Sequence, residues 1–226
     1  TDTISVSSLD GSANETISIT ITGTNDIPTV SGAVSGGVTE NDATPATGTL
    51  TFTDVDTDQT GAQAQTDTAG DYGLFNVDEN GVWSYALNGD PYHADVEALC
   101  AGDTLTETFS VVSKDGSATE TVTITITGAN DAPVIAGATS GTVTEDAITN
   151  EVSGVLTITD VDTGEAVFQA IAQNGDNGYG YFDVDAEGDW TYTLDNSNAA
   201  VQALGATESI EDTITVQSVD GTDQVI

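Results

Sequence analysis

The chain almost lacks basic residues. Its 226 residues contain one Lys or Arg in total and one His, against 38 Asp and Glu, so the formal net charge is −37. Proteins that bind nucleic acids or anionic membrane surfaces need Lys and Arg for the phosphate groups, so charge excludes both partners. Self-repulsion on this scale also opposes compaction. Bound cations would offset it; a solvated acidic surface suited to salty surroundings is the alternative.

Cysteine is nearly absent as well. Cys100 stands alone, which excludes an intramolecular disulfide, and we interpret it as a small packing residue. No apolar run is long enough to span a bilayer. The single His, Cys and Lys have no repeated counterparts, and carboxylate pairs in surface turns are poorly placed for a raised pKa. An enzyme is therefore not expected.

An internal repeat organises what the sequence does contain. Residues 113–133 reproduce residues 8–28 almost letter for letter, about 105 residues later, and the motif starts again at Ser218. A fixed long period indicates a tandem array of one folded unit. Residues 1–26 match only the end of a unit, so we expect a window from a longer array. We predict terminal strands and a linker of a preceding repeat at 1–26, a first repeat at 27–131, and a second repeat at 132–226 that lacks its last strand.

Alternating Thr, Val and Ile residues dominate the regular segments. Residues 121–127 place apolar side chains on one face and Thr on the other, and residues 50–52, 83–87 and 156–158 alternate in the same way. Period two with β-branched residues indicates half-buried strands, and Asn-Gly and Asp-Gly pairs mark turns between them. About seven short strands per repeat are typical of an immunoglobulin-like sandwich. We therefore predict an all-β fold of tandem β-sandwich repeats, with both Trp residues in the cores.

Three acidic motifs recur with the repeat: an Asn-Asp linker, a D-x-D after the second strand, and an Asp-Gly turn before the last strand. In a seven-stranded sandwich all three lie at the pole where the linker enters. Their oxygens suit Ca²⁺, which takes six to eight oxygen ligands, better than Mg²⁺ or Zn²⁺. The predicted ligands are Asn25, Asp26, Asp54, Asp56 and Asp115 at the first junction, and Asn130, Asp131, Asp160, Asp162 and Asp220 at the second junction.

Two glutamates lie farther along each repeat. Glu40 and Glu145 follow the linker by about 14 residues, a reach of roughly 45 Å in an extended strand, which takes them to the opposite pole. We predict that Glu40 shares the second junction from the other side and that Glu145 serves a linker beyond residue 226. A solvated loop acid is the alternative for each glutamate.

Several motifs resemble the VCBS repeat of very large bacterial surface proteins. They are T-G-T-N-D-I-P at 22–28, T-D-V-D at 53–56, W-T-Y-T-L-D-N-S-N-A-A-V-Q-A-L at 190–204 and S-V-D-G at 218–221. More distantly, the linker, the D-x-D and the Asp-Gly turn are similar to the calcium sites of cadherin repeats. No counterpart of the cadherin acidic triplet is assigned, although Asp103, Glu107, Glu208 and Glu211 lie nearby. The resemblance implies cadherin-like sandwiches in secreted or surface-anchored bacterial adhesins, often with RTX-type repeats elsewhere.

These observations predict a structural extender repeat of a secreted or cell-surface adhesin, rigidified by Ca²⁺ between neighbouring repeats. A carbohydrate-binding module is one alternative, with Tyr92 and Tyr179 as its aromatic candidates. Assembly is another, because residues 16–22 form a last strand without a sandwich and would add to the second repeat of another copy. A window cut from a continuous chain explains the same pattern and is preferred.

Overall fold

The computed structural model describes residues 1–89 and 93–226. Within these ranges the regular structure is seventeen strands and one short helix. No helix there is long and apolar enough to cross a membrane. In chain order the elements are β1 (Asp2–Ser7), β2 (Asn14–Ile19), β3 (Thr29–Gly32), β4 (Ser35–Thr39), β5 (Ala46–Thr53), β6 (Gln65–Ala69), β7 (Gly73–Val77), β8 (Val82–Leu87), α1 (Ala94–Glu97), β9 (Thr104–Val112), β10 (Thr119–Thr127), β11 (Val134–Gly137), β12 (Glu151–Thr159), β13 (Ile171–Asn174), β14 (Gly180–Val184), β15 (Asp189–Leu194), β16 (Thr215–Gln217) and β17 (Asp223–Val225).

The first repeat is a sandwich of two sheets. The larger sheet has the order β3-β5-β8-β7-β6 and the smaller the order β4-β10-β9. Strand β4 runs parallel to β10, with Ser35 opposite Thr123 and Thr39 opposite Thr127, whereas β9 is antiparallel to it. Because apolar residues alternate along the strands, each sheet turns one apolar face inward, and the two faces form one core.

The second repeat reproduces the larger sheet as β11-β12-β15-β14-β13. Its smaller sheet consists of β16 paired with β17, which correspond to β9 and β10. Residues 140–144, the counterpart of β4, lie in no strand. The all-β class and the tandem sandwich predicted from the sequence are thus confirmed.

The two tryptophans occupy equivalent core positions, as predicted. Trp83 and Trp190 are buried, and each indole N–H donates to a backbone carbonyl, at 2.9 Å to Ala33 and 2.7 Å to Ala138. Each ring lies against a glycine of the neighbouring strand, where an added Cβ would meet ring atoms at 2.4 Å (Gly48) or 2.5 Å (Gly154). Each indole thus lies directly against the backbone of the next strand.

The hairpin β1–β2 precedes the first repeat and packs into neither core. Its register runs from Asp2 opposite Ile19 to Ser7 opposite Asn14, and every residue of both strands is exposed. It corresponds to the β9–β10 hairpin of the first repeat. Its apolar residues therefore remain in solvent, whereas their counterparts are core residues.

Candidate metal centre

At each junction the linker backbone is tied to the D-x-D motif. The N–H of Asp131 donates to Oδ2 of Asp162 at 2.8 Å, and the N–H of Asp162 donates to Oδ1 of Asp160 at 2.9 Å. Each bond uses one oxygen of a carboxylate and leaves the other available. The first junction repeats the arrangement with Asp26, Asp56 and Asp54, at 2.8 Å for both bonds.

The Asp-Gly turn reaches the linker through the asparagine. Nδ2 of Asn25 donates to Oδ2 of Asp115 at 2.9 Å, and Nδ2 of Asn130 donates to Oδ2 of Asp220 at 3.4 Å. Hydrogen bonds to both aspartates, first of all from the preceding serine hydroxyls, lower the pKa of each carboxyl. The structure therefore brings the three predicted motifs together at the entering pole of each repeat, with these aspartates ionised.

Glu40 joins the second junction from the opposite side. Its N–H donates to the carbonyl of Thr127 at 2.9 Å, which places it where β4 and β10 end and the linker begins. The side chain is 1 % exposed. One carboxylate oxygen accepts the N–H of Ala129 at 3.0 Å, and the other is buried without a hydrogen-bond partner. The parallel pairing of β4 with β10 is what delivers this carboxylate to the linker.

A carboxylate absent from the predicted set completes the cluster. One oxygen each of Glu40, Glu97 and Asp131 lies within 4.8 Å of the others. Glu97 is the last residue of α1, the helix that precedes β9. Its counterpart in the second repeat is Gln202, so comparing the repeats for shared acids does not reveal it.

The electrostatics of the second junction are unfavourable without a counter-ion. Burial raises the pKa of Glu40, and repulsion from Asp131, Glu97 and Asp162 adds to the effect. Burial also raises the pKa of Asp162, which is 2 % exposed, and repulsion from neighbouring aspartates adds there too. No basic side chain is among the converging residues.

Several buried oxygens at the second junction lack partners. Buried polar atoms are normally hydrogen-bonded, so a group of orphaned oxygens needs an explanation. An oxygen-liganded cation such as Ca²⁺ supplies one, and the donor set fits it. Within the described residues the orphaned atoms are Glu40 Oε1, Asp131 Oδ2, Asp160 Oδ2, Asp162 Oδ1 and Glu165 Oε2.

Glu165 is a second residue that sequence analysis missed. It stands three residues after the D-x-D, and its counterpart Gln59 at the first junction also carries a buried, unpaired side-chain oxygen. In the sequence, an oxygen-bearing side chain follows each D-x-D motif at the same distance. A comparison of repeated acids does not find it, because one copy is the acid Glu165 and the other is the amide Gln59.

Other candidates lie outside the junctions. Glu145 is partly exposed and follows the unpaired segment 140–144. Glu107 is buried at the edge of the first core, where its carboxylate accepts the N–H of Tyr72. Tyr179, the candidate for the sugar-stacking alternative, is partly buried and packs against the second core. Tyr92 lies outside the described residues.

Two comparisons with known proteins agree with this architecture. The model of the bacterial cadherin-like domain family matches residues 25–128 and 130–226. Among solved structures, the chain is similar to one described as PcdhgB3 EC1-4 in 50 mM HEPES, with 14% identity, a TM-score of 0.52 and coverage of 99% of this chain. The chain spans 62% of the length of that structure. The cadherin-like fold is confirmed, and the narrower VCBS assignment stays a prediction.

Two further solved structures are more distant, each with a TM-score of 0.28. One is a protein of unknown function from Porphyromonas gingivalis W83, at 11% identity over 89% of this chain and 97% of that one. The other is the human desmocollin-1 ectodomain, at 12% identity over 95% of this chain and 60% of that one. A comparison with curated proteins gives no match.

Proposed function

The chain belongs to the bacterial cadherin-like domain family, and we propose that it is a structural extender of a secreted or cell-surface bacterial adhesin. Ca²⁺ bound at each junction would fix neighbouring repeats relative to one another. Cadherin-like domains are typically extracellular, structural or adhesive rather than enzymatic, and generally bind Ca²⁺. The partners of each repeat would be its neighbours in the same array.

The proposal rests on the observation that both repeats supply side-chain oxygens to the second junction. Glu40 and Glu97 belong to the first repeat and Asp131 to the linker, whereas Asp160, Asp162 and Glu165 belong to the second repeat. An ion held by these groups would be bound by both repeats at once. Its chemistry would be charge neutralisation, since hard divalent cations take oxygen ligands of this kind.

Direct contact between the repeats supplements such an ion. The N–H of Thr163 donates to the carbonyl of Ala98 at 3.2 Å, and Sγ of Cys100 contacts the carbonyl of Thr163 at 3.4 Å. Both contacts join the D-x-D loop to the segment that follows α1. Without a cation the carboxylates beside them repel, so we expect the junction to loosen and the array to become flexible.

Calcium addition to the metal-free chain tests this proposal. If Ca²⁺ binds only the folded state, a free concentration of about 100 times its dissociation constant adds about 2.7 kcal/mol to the free energy of unfolding, so the melting temperature should rise. Small-angle scattering should show a more extended, less variable shape. Mg²⁺ at equal ionic strength and the D160N/D162N variant are the controls. Unchanged melting temperature and radius of gyration on Ca²⁺ addition would refute the calcium account.

A further inference from the structure

Two positions beside the Glu40 cluster carry one acid and one amide in each repeat, but in opposite order. The first repeat has Asn41 and Glu97, and the second repeat has Asp146 and Gln202 at the corresponding places. The number of carboxylates at this pair of positions is therefore the same in both repeats, although the position that bears the carboxylate is not. The exchange of acid and amide leaves the local charge unchanged.

The same turn presents the first position of the pair in both repeats. A backbone hydrogen bond of 3.2 Å closes residues 39–42, and one of 3.4 Å closes residues 144–147. Asn41 and Asp146 are the third residues of these turns, with φ angles of 60° and 55°. Asn and Asp enter this left-handed region more readily than other residues that have a Cβ atom. An exchange between Asn and Asp therefore leaves the turn intact.

The two positions of the pair are close to each other and to the linker. In the second repeat Nε2 of Gln202 donates to Oδ1 of Asp146 at 3.2 Å. In the first repeat Nδ2 of Asn41 donates to Oδ1 of Asp131 at 3.4 Å. One oxygen of Glu97 also lies within 4.8 Å of a carboxylate oxygen of Asp131. Position 41 is thus beside the same group of oxygens that Glu97 joins.

Buried oxygens without partners mark the place that these residues surround. Glu40 is 1 % exposed, and its Oε1 and Oδ2 of Asp131 are both buried without a hydrogen-bond partner. Like charges so close together disfavour ionisation, so each further carboxylate makes the metal-free junction less favourable. One acid and one amide at the pair limit this repulsion, because the amide donates a hydrogen bond to a carboxylate instead of adding another charge.

We propose that positions 41 and 97 are alternative places for one carboxylate of the second junction. Glu97 supplies the carboxylate in this chain, and an aspartate at position 41 supplies it when position 97 carries an amide. The amide serves as the hydrogen-bond donor in either order. The role of this carboxylate as a ligand of Ca²⁺, which takes oxygen ligands from either position, rests on the proposed function. The exchange itself rests on the contacts around Asp131.

Calorimetric titration of the 226-residue chain with Ca²⁺ tests the exchange. E97Q should lower the calcium affinity at least about tenfold, because even a residue behind a metal ligand contributes that much. N41D/E97Q, which transfers the order of the second repeat to the first, should restore most of the lost affinity. The control E97Q/A43D has the same net charge but places its carboxylate at exposed Ala43, two residues farther along, so it should remain as weak as E97Q.

Three outcomes of this titration would overturn the proposal. Equal affinity of N41D/E97Q and E97Q would show that position 41 does not reach the site. Equal recovery in E97Q/A43D would show an effect of net charge alone. An undiminished affinity of E97Q would show that position 97 supplies no ligand.

Thermal melting in chelator separates the exchange from the proposed function. Without metal, N41D should melt at a lower temperature than A43D, because it adds a carboxylate to the cluster and removes the amide that donates to Asp131. N41D/E97Q should melt near the parent chain, because the number of converging carboxylates is unchanged. This pattern, together with no calcium binding by the parent chain, would support the exchange and refute the proposed function. Calcium binding by the parent chain, together with equal melting of N41D and A43D, would support the proposed function and overturn the exchange.

Discussion

The two junctions are built from the same three motifs and differ in how deeply those motifs are buried. At the second junction Asp162 is 2 % exposed, and Glu40 is buried beside it. At the first junction the counterpart of Asp162, Asp56, is half-buried, and Asp26 is exposed. The difference arises because a folded repeat precedes the second junction, whereas the described residues before the first junction form only the exposed hairpin β1–β2.

The two junctions differ in the number of buried oxygens without partners, which shows how many of them one repeat supplies and how many its neighbour adds. Among residues 1–89 and 93–226, two buried side-chain oxygens without partners lie at the first junction, in Asp54 and Gln59, against five at the second. The entering pole alone thus carries fewer oxygens without partners. We infer that a preceding repeat adds the carboxylates of Glu40 and Glu97, so that ion binding and the order of two repeats are coupled.

The largest effect is expected from removing the charge of Glu40. In Ca²⁺ the variant E40Q should lose at least about tenfold in affinity, or about 1.4 kcal/mol, because a buried ligand at the shared site is weakened. Without metal the same variant should melt at a higher temperature than the parent chain, because the repulsion on a buried carboxylate is relieved. Calorimetric titration and thermal melting measure both effects.

The matched control for this substitution is E145Q. Glu145 is the counterpart of Glu40 and lies outside the cluster. E145Q should change neither calcium affinity nor melting temperature. An equal response of the two variants would mean that each glutamate acts within its own repeat and that the two junctions are equivalent.

A smaller effect should distinguish the two D-x-D motifs. D160N and D54N make the same change at equivalent positions, and each affected carboxylate has one buried oxygen without a partner. D160N should lower the melting temperature in Ca²⁺, since it removes a ligand from the complete site. D54N should lower it less, since no counterpart of Glu40 or Glu97 among the described residues reaches the first junction. Equal losses would indicate that the entering pole binds calcium without a preceding repeat.

Much of this architecture follows from the sequence alone. The alternation in residues 121–127 predicts a strand with one buried face, and β10 has that face in the first core. The positions of the acidic motifs also followed from counting strands, because a sandwich places the linker, the D-x-D and the Asp-Gly turn at one end. These features depend on local periodicity and on chain direction, which a repeat displays twice.

The missed residues depend on contacts between repeats. Glu97 and Glu165 reach the junction from opposite sides, and each has an amide counterpart, in Gln202 and Gln59. A search for repeated acids therefore passed over both. The unpaired segment 140–144 was also not foreseen; its counterpart β4 is paired with residues 123–127 of β10. Such features are set by tertiary neighbours.

The smallest expected effect is a difference in pH dependence between the junctions. Burial raises the pKa of Glu40 and Asp162 above their ordinary values of 4.5 and 3.8. The folded state of the metal-free chain therefore holds protons that the unfolded state has released. The stability from these protonated groups is full below the ordinary values and is lost as pH rises through the raised ones. Hydrogen bonds lower the pKa of Asp115 and Asp220 and give the opposite trend, but one such aspartate lies at each junction, so they do not distinguish the two junctions.

Urea unfolding between about pH 4 and about pH 7 should thus show a falling contribution to stability that is specific to the second junction. E40Q/D162N should remove it, and the matched variant D56N/E145Q should retain it. Ca²⁺ should reduce the fall in the parent chain, because the ion binds the ionised carboxylates of the second junction, whereas buried Glu107, whose pKa is also raised by burial, keeps its share. An undiminished fall in E40Q/D162N would show that the effect arises elsewhere in the chain.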